Sequence, residues 1–209
     1  MVRGMRAIQA GLILLAGMMA APAVAELPKI SPAEFAAQPQ VLANGIRGEL
    51  VKLESASPLD YGPMMKGDLG KPVTLTAQLF LPANATGPVA AVVETPGSGN
   101  LGPHHLAHAS ALTSAGFAVL VIDPFLGRGI DNTITDQGKL TWAASAYDVL
   151  AGVKYLRTRK EIDPARIGAT GGGGGGAAAA AAVAAPLSHA GPGGGKGVRA
   201  GVGGHPRGG

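Results

Sequence analysis

Apolar segments separated by polar, glycine-rich or proline-rich connections indicate an α/β fold between Glu26 and Thr170. VAAVVE is short and nearly all apolar, as strands buried inside parallel sheets are. Four further segments have the composition of strands, and PANATGP punctuates them with a turn. In chain order the five predicted strands are IRGELVKLES, PVTLTAQLFLP, VAAVVE, FAVLVID and RIGAT. They predict a mainly parallel sheet flanked by helices.

Two helices are predicted between these strands. Pro103 suits the first turn of one helix, and Gly116 suits the left-handed position that ends it. A longer helix is predicted over roughly 140–159, because apolar residues recur there at helical spacing. The positions that carry this apolar stripe are Ala143, Ala146, Tyr147, Leu150 and Val153.

The composition changes after Thr170. Glycine and alanine dominate the remaining residues, and no Asp or Glu follows Asp163. Such a segment cannot bury enough surface to offset its ordering entropy, so we expect a disordered Gly/Ala-rich C-terminal tail. Residues 26–185 are assigned to one incomplete domain and 186–209 to a low-complexity tail. A reading-frame slip, an assembly error and a natural extension all remain open as origins of this composition.

The N-terminal residues 1–25 have the pattern of a secretory signal peptide. A basic start, MVRGMR, precedes an apolar stretch, and small residues at Ala23 and Ala25 offer a cleavage site. A membrane-spanning helix is the alternative, but the apolar run is shorter than about 20 residues and is followed by Pro22. We therefore expect a periplasmic or secreted protein with no membrane contact after cleavage. The chain has no cysteine, which excludes disulfides and thiol nucleophiles.

The formal net charge of +4 does not indicate a nucleic-acid partner. Its basic excess lies mainly in the predicted leader and in the tail, and the central body is close to neutral. A neutral body releases few counterions from a phosphate backbone, so no nucleic-acid binding is expected.

Several motifs in one order carry a family resemblance. TPGSGN follows the buried strand, AGFAVLVID ends the first helix and begins the next strand, DPFLGRGI is a loop, and DPARIGATGG follows the long helix. Together they resemble the dienelactone hydrolase branch of the α/β-hydrolases over about residues 49–176. The resemblance implies a partial α/β-hydrolase fold, with five strands of the usual eight. It also implies a serine hydrolase that acts on a small-molecule carboxylic ester or lactone without a cofactor.

In that family a G-x-S-x-G turn presents the nucleophilic serine between a strand and a helix. Here the turn falls on Gly171–Gly175, and Gly173 occupies the nucleophile position without a serine. Glycine has no atom that could attack a carbonyl. The resemblance places the oxyanion hole at the backbone N–H groups of Ser98 and Gly174. Pro96 stands where many relatives carry histidine.

The other two members of the triad, an acid and then a histidine, normally follow the turn. No acid follows it here, and His189 and His205 lie in Gly/Pro-rich sequence. We therefore expect this chain to be catalytically impaired, so its status as an enzyme stays uncertain. The alternative function is a non-catalytic exported remnant or binding domain.

Two competing glycine motifs are weaker. The six glycines satisfy the dinucleotide pattern G-x-G-x-x-G trivially, but no Asp or Glu follows to hold a ribose. GPGGGKG matches a phosphate-binding loop only loosely, because Ala190 and Gly197 replace required residues. Ser98 as a nucleophile is also disfavoured, since no motif places a general base beside it.

Four other features have structural explanations. His104, His105 and His108 could approach a metal site, but we expect exposed polar residues at a helix start and no metal. Asp123 is expected to fix the following loop by local hydrogen bonds, with Arg128 as a possible partner. The aromatic residues Trp142 and Tyr147 are expected to pack at the core or its boundary.

Overall fold

A computed structural model describes residues 30–184 and 199–202 of the chain. The predicted signal peptide and most of the predicted tail lie outside these residues. The strands are β1 Glu49–Ser57, β2 Lys71–Phe80, β3 Val89–Thr95, β4 Ala118–Asp123, β5 Ile162–Gly171 and β6 Arg199–Val202. The helices are α1 Pro32–Ala37, α2 Tyr61–Met65, α3 Pro103–Ser114, α4 Trp142–Leu156 and α5 Gly174–Ala184.

The strands form one mixed sheet in the order β1-β2-β4-β3-β5-β6. β2 pairs antiparallel with both β1 and β4, whereas the pairs β3–β4, β3–β5 and β5–β6 are parallel. All five predicted strands are present, and helices connect the parallel ones. The predicted α/β class with a mainly parallel, helix-flanked sheet is therefore confirmed.

Both faces of the sheet are covered, because successive side chains of a strand point to opposite sides. Val119 and Val121 of β4 pack with Phe35 of α1 and Ala109 of α3 on one face. Ala118, Leu120 and Ile122 of the same strand pack on the other face with α4 and α5. β4 is buried along its whole length, whereas β3, the strand that the sequence predicted to be buried, is half-buried at Val89, Ala90 and Val92.

The predicted limits of the two connecting helices hold closely. α3 begins at Pro103, and Gly116, just beyond its end, has a φ of +88°, in the left-handed region that favours glycine. α4 is somewhat shorter than predicted, beginning at Trp142 and ending at Leu156. Thr141 accepts a hydrogen bond from the Ala144 N–H and so caps its start.

The loop after β4 is fixed by two acids rather than one. Asp123 Oδ1 accepts hydrogen bonds from the backbone N–H groups of Phe125, at 2.8 Å, and Leu126, at 3.2 Å, as expected of a local turn. Asp123 and Arg128 form no hydrogen bond, and the nearby positive charge of Arg128 only opposes the rise that burial causes in the pKa of Asp123. Arg128 instead donates two hydrogen bonds of 2.8 Å to Asp148 of α4, because the helix brings that carboxylate into the interior beside the loop.

The far edge of β5 is paired. Residues 168–171 pair in parallel with residues 199–202 of β6, which lie in the predicted tail. Backbone N–H and C=O groups need partners whatever the side chains are, so a segment without an apolar period can still complete a strand pair.

Within residues 30–184 and 199–202, none of the helices combines the length and apolar character needed to cross a bilayer.

Candidate active site

The turn between β5 and α5 is sharp and lies where the sequence placed it. β5 ends at Gly171 and α5 begins at Gly174, so two residues connect strand and helix. Gly173 has a φ of +51°, in the left-handed region. The N–H of Gly175 donates to the Gly172 carbonyl at 2.9 Å, which closes the turn. Residue 173 is therefore the outermost point of the turn.

Close backbone contacts explain most of the glycines in this turn. A Cβ on Gly171 would lie 2.6 Å from the Thr95 carbonyl oxygen, and a Cβ on Gly175 would lie 2.7 Å from the Pro96 carbonyl oxygen. A Cβ on Gly97 would lie 2.7 Å from the Gly172 carbonyl oxygen. The β3 loop and the β5–α5 turn therefore touch backbone to backbone, which only glycine allows.

The tip of the turn has room for a side chain. A Cβ on Gly172 or on Gly173 would meet no atom within 4 Å. A serine at position 173 would therefore fit without a steric clash, at the cost of a left-handed backbone. The missing hydroxyl is a property of the residue at 173 and not of the space around it.

Ser98 and Gly174, whose amides the resemblance assigns to the oxyanion hole, lie near each other. The Ser98 Oγ lies 4.0 Å from the Cβ position of Gly174. Both residues line a small cavity of about 30 Å³, which has room for about one water-sized group. Within residues 30–184 and 199–202, neither backbone amide donates a hydrogen bond. An oxyanion hole requires donors of this kind, free of other partners and close to the cavity.

The Ser98 hydroxyl itself has no catalytic partner in the described part of the chain. It exchanges hydrogen bonds only with the Gln137 amide, whose Nε2 lies 2.9 Å away. The Ser98 carbonyl accepts from the Thr133 N–H at 2.9 Å, which ties the β3 loop to the loop after β4. An amide cannot serve as a general base, so this contact positions Ser98 without activating it.

A second cavity, of about 680 Å³, lies on the α3 side of the turn. Gly171 and Gly172 line it together with Glu94 of β3 and His108 of α3. The Nδ1 of His108 lies 3.2 Å from Glu94 Oε1. Sequence reasoning missed this pair. The available signal was the glutamate at the end of the otherwise apolar VAAVVE strand.

Burial and pairing act in opposite directions on this carboxyl. Glu94 is 3% exposed, and burial raises its pKa, whereas the hydrogen bond from His108 lowers it in part. The same hydrogen bond raises the pKa of the His108 imidazole. Within the described residues, Glu94 Oε2 has no hydrogen-bond partner. The hydrogen bond from the exposed His108 therefore offsets part of the cost of burying the Glu94 carboxylate.

The three histidines of α3 differ in environment. His104 and His108 are exposed, as expected, but the expectation of an exposed residue was wrong for His105, which is 4% exposed. Its Nδ1 accepts the Gly102 N–H at 2.9 Å and so caps α3. Burial lowers the pKa of His105 to about 4, so the ring is neutral. No group of three or more metal-binding side chains occurs in the described parts of the chain.

Two aromatic residues at α4 also differ. Tyr147 is half-buried, which agrees with boundary packing. Trp142 was expected to pack as well, but its position at the first turn of α4 leaves it 51% exposed on the rim of the Ser98 cavity.

The downstream His189 and His205 lie outside the described residues.

A protein-family comparison matches residues 103–189 to the prolyl oligopeptidase family. Among curated proteins, no sequence relative matches the chain. The structure is similar to a hypothetical protein from Pseudomonas aeruginosa, with 23% identity and a TM-score of 0.50 over 71% of this chain and 41% of that one.

Two further solved structures match at lower TM-scores. One is a dienelactone hydrolase-like promiscuous phosphotriesterase from metagenomic libraries, with 19% identity and a TM-score of 0.45 over 65% of this chain and 54% of that one. The other is a putative dienelactone hydrolase from Klebsiella pneumoniae. It has 18% identity and a TM-score of 0.44 over 61% of this chain and 52% of that one. The chain thus spans about half the length of these two structures.

The strand order and the sharp turn at Gly173 agree on one class of fold, and the prolyl oligopeptidase match covers the residues around that turn. The described residues have the α/β-hydrolase fold, and the resemblance seen in the sequence is confirmed at that level.

Proposed function

We propose that this chain derives from an exported serine hydrolase of the dienelactone hydrolase type, acting on a carboxylic ester or lactone. The observation that carries the proposal is the sharp turn at Gly173 beside the unengaged amides of Ser98 and Gly174. These are the parts that bind an acyl oxygen, and they consist of backbone, so they persist without a nucleophile. Dienelactone hydrolases among the similar structures support the ester or lactone as substrate class.

We also propose that the chain as written forms no acyl-enzyme. Position 173 carries no hydroxyl, and the Ser98 hydroxyl contacts only an amide in the described residues. Loss of the nucleophile and its base costs on the order of 10⁶ in turnover, leaving what binding and the oxyanion hole supply. A cleft that is retained without its nucleophile equally favours the second candidate, a non-catalytic exported binding domain.

The first test compares the natural chain with two serine variants at the turn. Gly173→Ser places a hydroxyl at the tip, and Gly172→Ser is the matched control, because its added Cβ also meets no atom within 4 Å. We expect no labelling of the natural chain by a fluorophosphonate probe. Gly173→Ser should label at least about tenfold faster than Gly172→Ser, since a preorganised oxyanion donor is worth roughly 10²–10³ in rate. Steady hydrolysis of p-nitrophenyl acetate should stay low in both variants.

Two results oppose the proposal in different ways. Rapid labelling of the natural chain would show a nucleophile elsewhere, with Ser98 the first position to examine. Equal labelling of the two serine variants would show that residue 173 is not the point from which the attacking oxygen projects.

Export is proposed from residues 1–25, and it has its own test. Expression of the full chain in a bacterial host should give a mature protein that begins at Glu26 and is recovered from the periplasm or medium. Recovery of the uncleaved chain in the cytoplasmic fraction would refute export without affecting the assignment of the cleft.

A further inference from the structure

Trp142 is the only tryptophan of the chain, and half of its surface is exposed. A large aromatic side chain in this position offers apolar area to solvent at the rim of the cavity. It lies at the first residue of α4 and is not one of the buried residues of that helix. The indole is therefore available to a ligand in the cleft.

Two cavities meet at this residue. The small cavity beside Ser98 and Gly174 is lined in part by Gln137 and Trp142. The same two residues line an adjacent groove of about 410 Å³, which runs toward Leu59. Gln137 and Trp142 therefore form the shared wall between a space for one oxygen atom and a space for a larger group.

The groove has the character of a site for a neutral apolar group. Leu59 is 82% exposed and Trp142 is 51% exposed, so both offer apolar surface to it. Asp60 is the charged residue in its lining, and its carboxylate accepts from the Tyr61 N–H at 2.7 Å. A carboxylate here repels an anionic group and leaves neutral groups unaffected.

We propose that this groove binds the bulky, uncharged apolar part of a carboxylic ester whose carbonyl oxygen lies between the amides of Ser98 and Gly174. Trp142 is then the residue that selects for size on this side of the ester. The inference depends on the proposed function for the position of the carbonyl oxygen. It adds the substrate class, which is a neutral ester with a bulky hydrocarbon group.

The natural glycine at position 173 makes the test direct, because an ester that is not cleaved can be studied at binding equilibrium. Three esters serve as probes. Methyl acetate has no ring, cyclohexyl acetate has its ring on the alcohol side, and methyl cyclohexanecarboxylate has its ring on the acyl side. Each is titrated into the purified chain while the fluorescence of Trp142 is followed. We expect a saturable blue shift with at least one cyclohexyl ester and a Kd at least tenfold lower than for methyl acetate. A tenfold difference corresponds to about 1.4 kcal/mol.

The variants use a readout that does not need tryptophan, namely saturation-transfer NMR of the bound ester. Trp142→Ala should remove the preference for the cyclohexyl ester. Leu59→Ala should weaken it, and its high exposure means that it tests the groove with little risk to folding. Phe117→Ala is the matched control, because Phe117 is an exposed aromatic residue just before β4, at the opposite end of the sheet. Circular dichroism checks that each variant is folded.

The outcomes separate the inference from the proposed function. If the cyclohexyl esters bind no more tightly than methyl acetate, or if Phe117→Ala has the same effect as Trp142→Ala, the groove assignment is wrong. That result would leave the labelling difference between Gly173→Ser and Gly172→Ser untouched. Conversely, tight cyclohexyl ester binding that depends on Trp142, without any labelling difference, would support the groove and refute the position of the reacting centre.

Discussion

Two strand-to-helix junctions lie at the same end of the sheet and hold their shapes by different means. After β4, the chain is fixed by side chains: Arg128 donates to Asp148, to the Ser57 hydroxyl and to the carbonyls of Ala56 and Pro124. After β5, the turn is formed by glycines whose backbones touch the β3 loop. The first junction therefore depends on a buried charge pair, and the second depends on close backbone contacts at Gly171 and Gly175.

The difference bears on the proposed function. In the described residues the turn after β5 is held by backbone contacts with the β3 loop, and the tip at Gly173 takes no part in the close contacts. If the proposal is right, a serine could be lost from the tip while these backbone contacts stay in place.

The largest predicted effect is at the first junction. Asp148 is fully buried, burial raises its pKa, and its bonds to Arg128 and Ser55 oppose that shift. Asp148→Asn leaves the Arg128 guanidinium with one less charged partner in the interior. We expect a loss of about 3–5 kcal/mol in the free energy of unfolding, measured by urea denaturation.

The control for Asp148→Asn is Asp163→Asn, which breaks the exposed pair with Arg166. Exposed ion pairs contribute little, so this variant should unfold at nearly the same urea concentration as the natural chain. Similar losses in the two variants would mean that burial does not set the strength of the Arg128 pair.

The second prediction concerns the pH dependence of stability through His105. The His105 side chain caps the start of α3, whereas α5 begins at Gly174, which has no side chain. The pKa of His105 is lowered to about 4 in the folded chain, against about 6.5 when unfolded, so the unfolded state binds the proton more readily. Its contribution is therefore complete above pH about 6.5 and is lost as the pH falls toward 4. The total is on the order of 3 kcal/mol.

His105→Asn is the matched variant, because its amide oxygen can still accept the Gly102 N–H but does not titrate. Urea unfolding at several pH values should show a shallower acid decline for this variant than for the natural chain. Identical pH profiles would contradict a neutral, buried imidazole at this position.

The third prediction concerns the second junction. Gly175→Ala would push a methyl group against the carbonyls of Thr95 and Pro96, which belong to the backbone and cannot rotate away. We expect a loss of about 1–3 kcal/mol in unfolding free energy, as in other overpacked sites. Gly172→Ala is the control, with open space around the new methyl group, and should cost much less. A well-tolerated Gly175→Ala would show that the turn and the β3 loop can separate.

The smallest predicted effect is at the tip of the turn. Gly173→Ala meets no neighbour, so its cost comes only from the left-handed backbone at a φ of +51°. We expect about 1 kcal/mol, seen as a modest fall in Tm. A neutral result would indicate that the turn relaxes out of the left-handed region, which would weaken the assignment of residue 173 as the tip.

Much of the fold could be predicted from the sequence because local patterns determine it. The five predicted strand segments each overlap a strand of the sheet, and Pro103 and Gly116 marked the ends of α3. The position of the turn after β5 followed from a strand that leads into glycine. Each of these depends on neighbours within a few residues.

The contacts that were missed join residues distant in the chain. Arg128 was expected beside Asp123, five residues away, but it bonds Asp148 on α4, because the packing of that helix decides which acid reaches the loop. Glu94 and His108 lie on a strand and a helix, and only the packing of α3 on the sheet joins them. The pairing of β6 with β5 likewise depends on an edge that no local pattern describes.

The sequence by itself determined the class of fold, the position of the turn and the absence of a hydroxyl at residue 173, since these follow from residue type and short-range periodicity. Only the tertiary structure decided that Ser98 and Gly174 share a cavity, that Glu94 holds His108, and that Trp142 faces a groove rather than the core. The physical reason is that burial and pairing depend on which surfaces the packed sheet and helices bring together, and one-dimensional spacing does not record that.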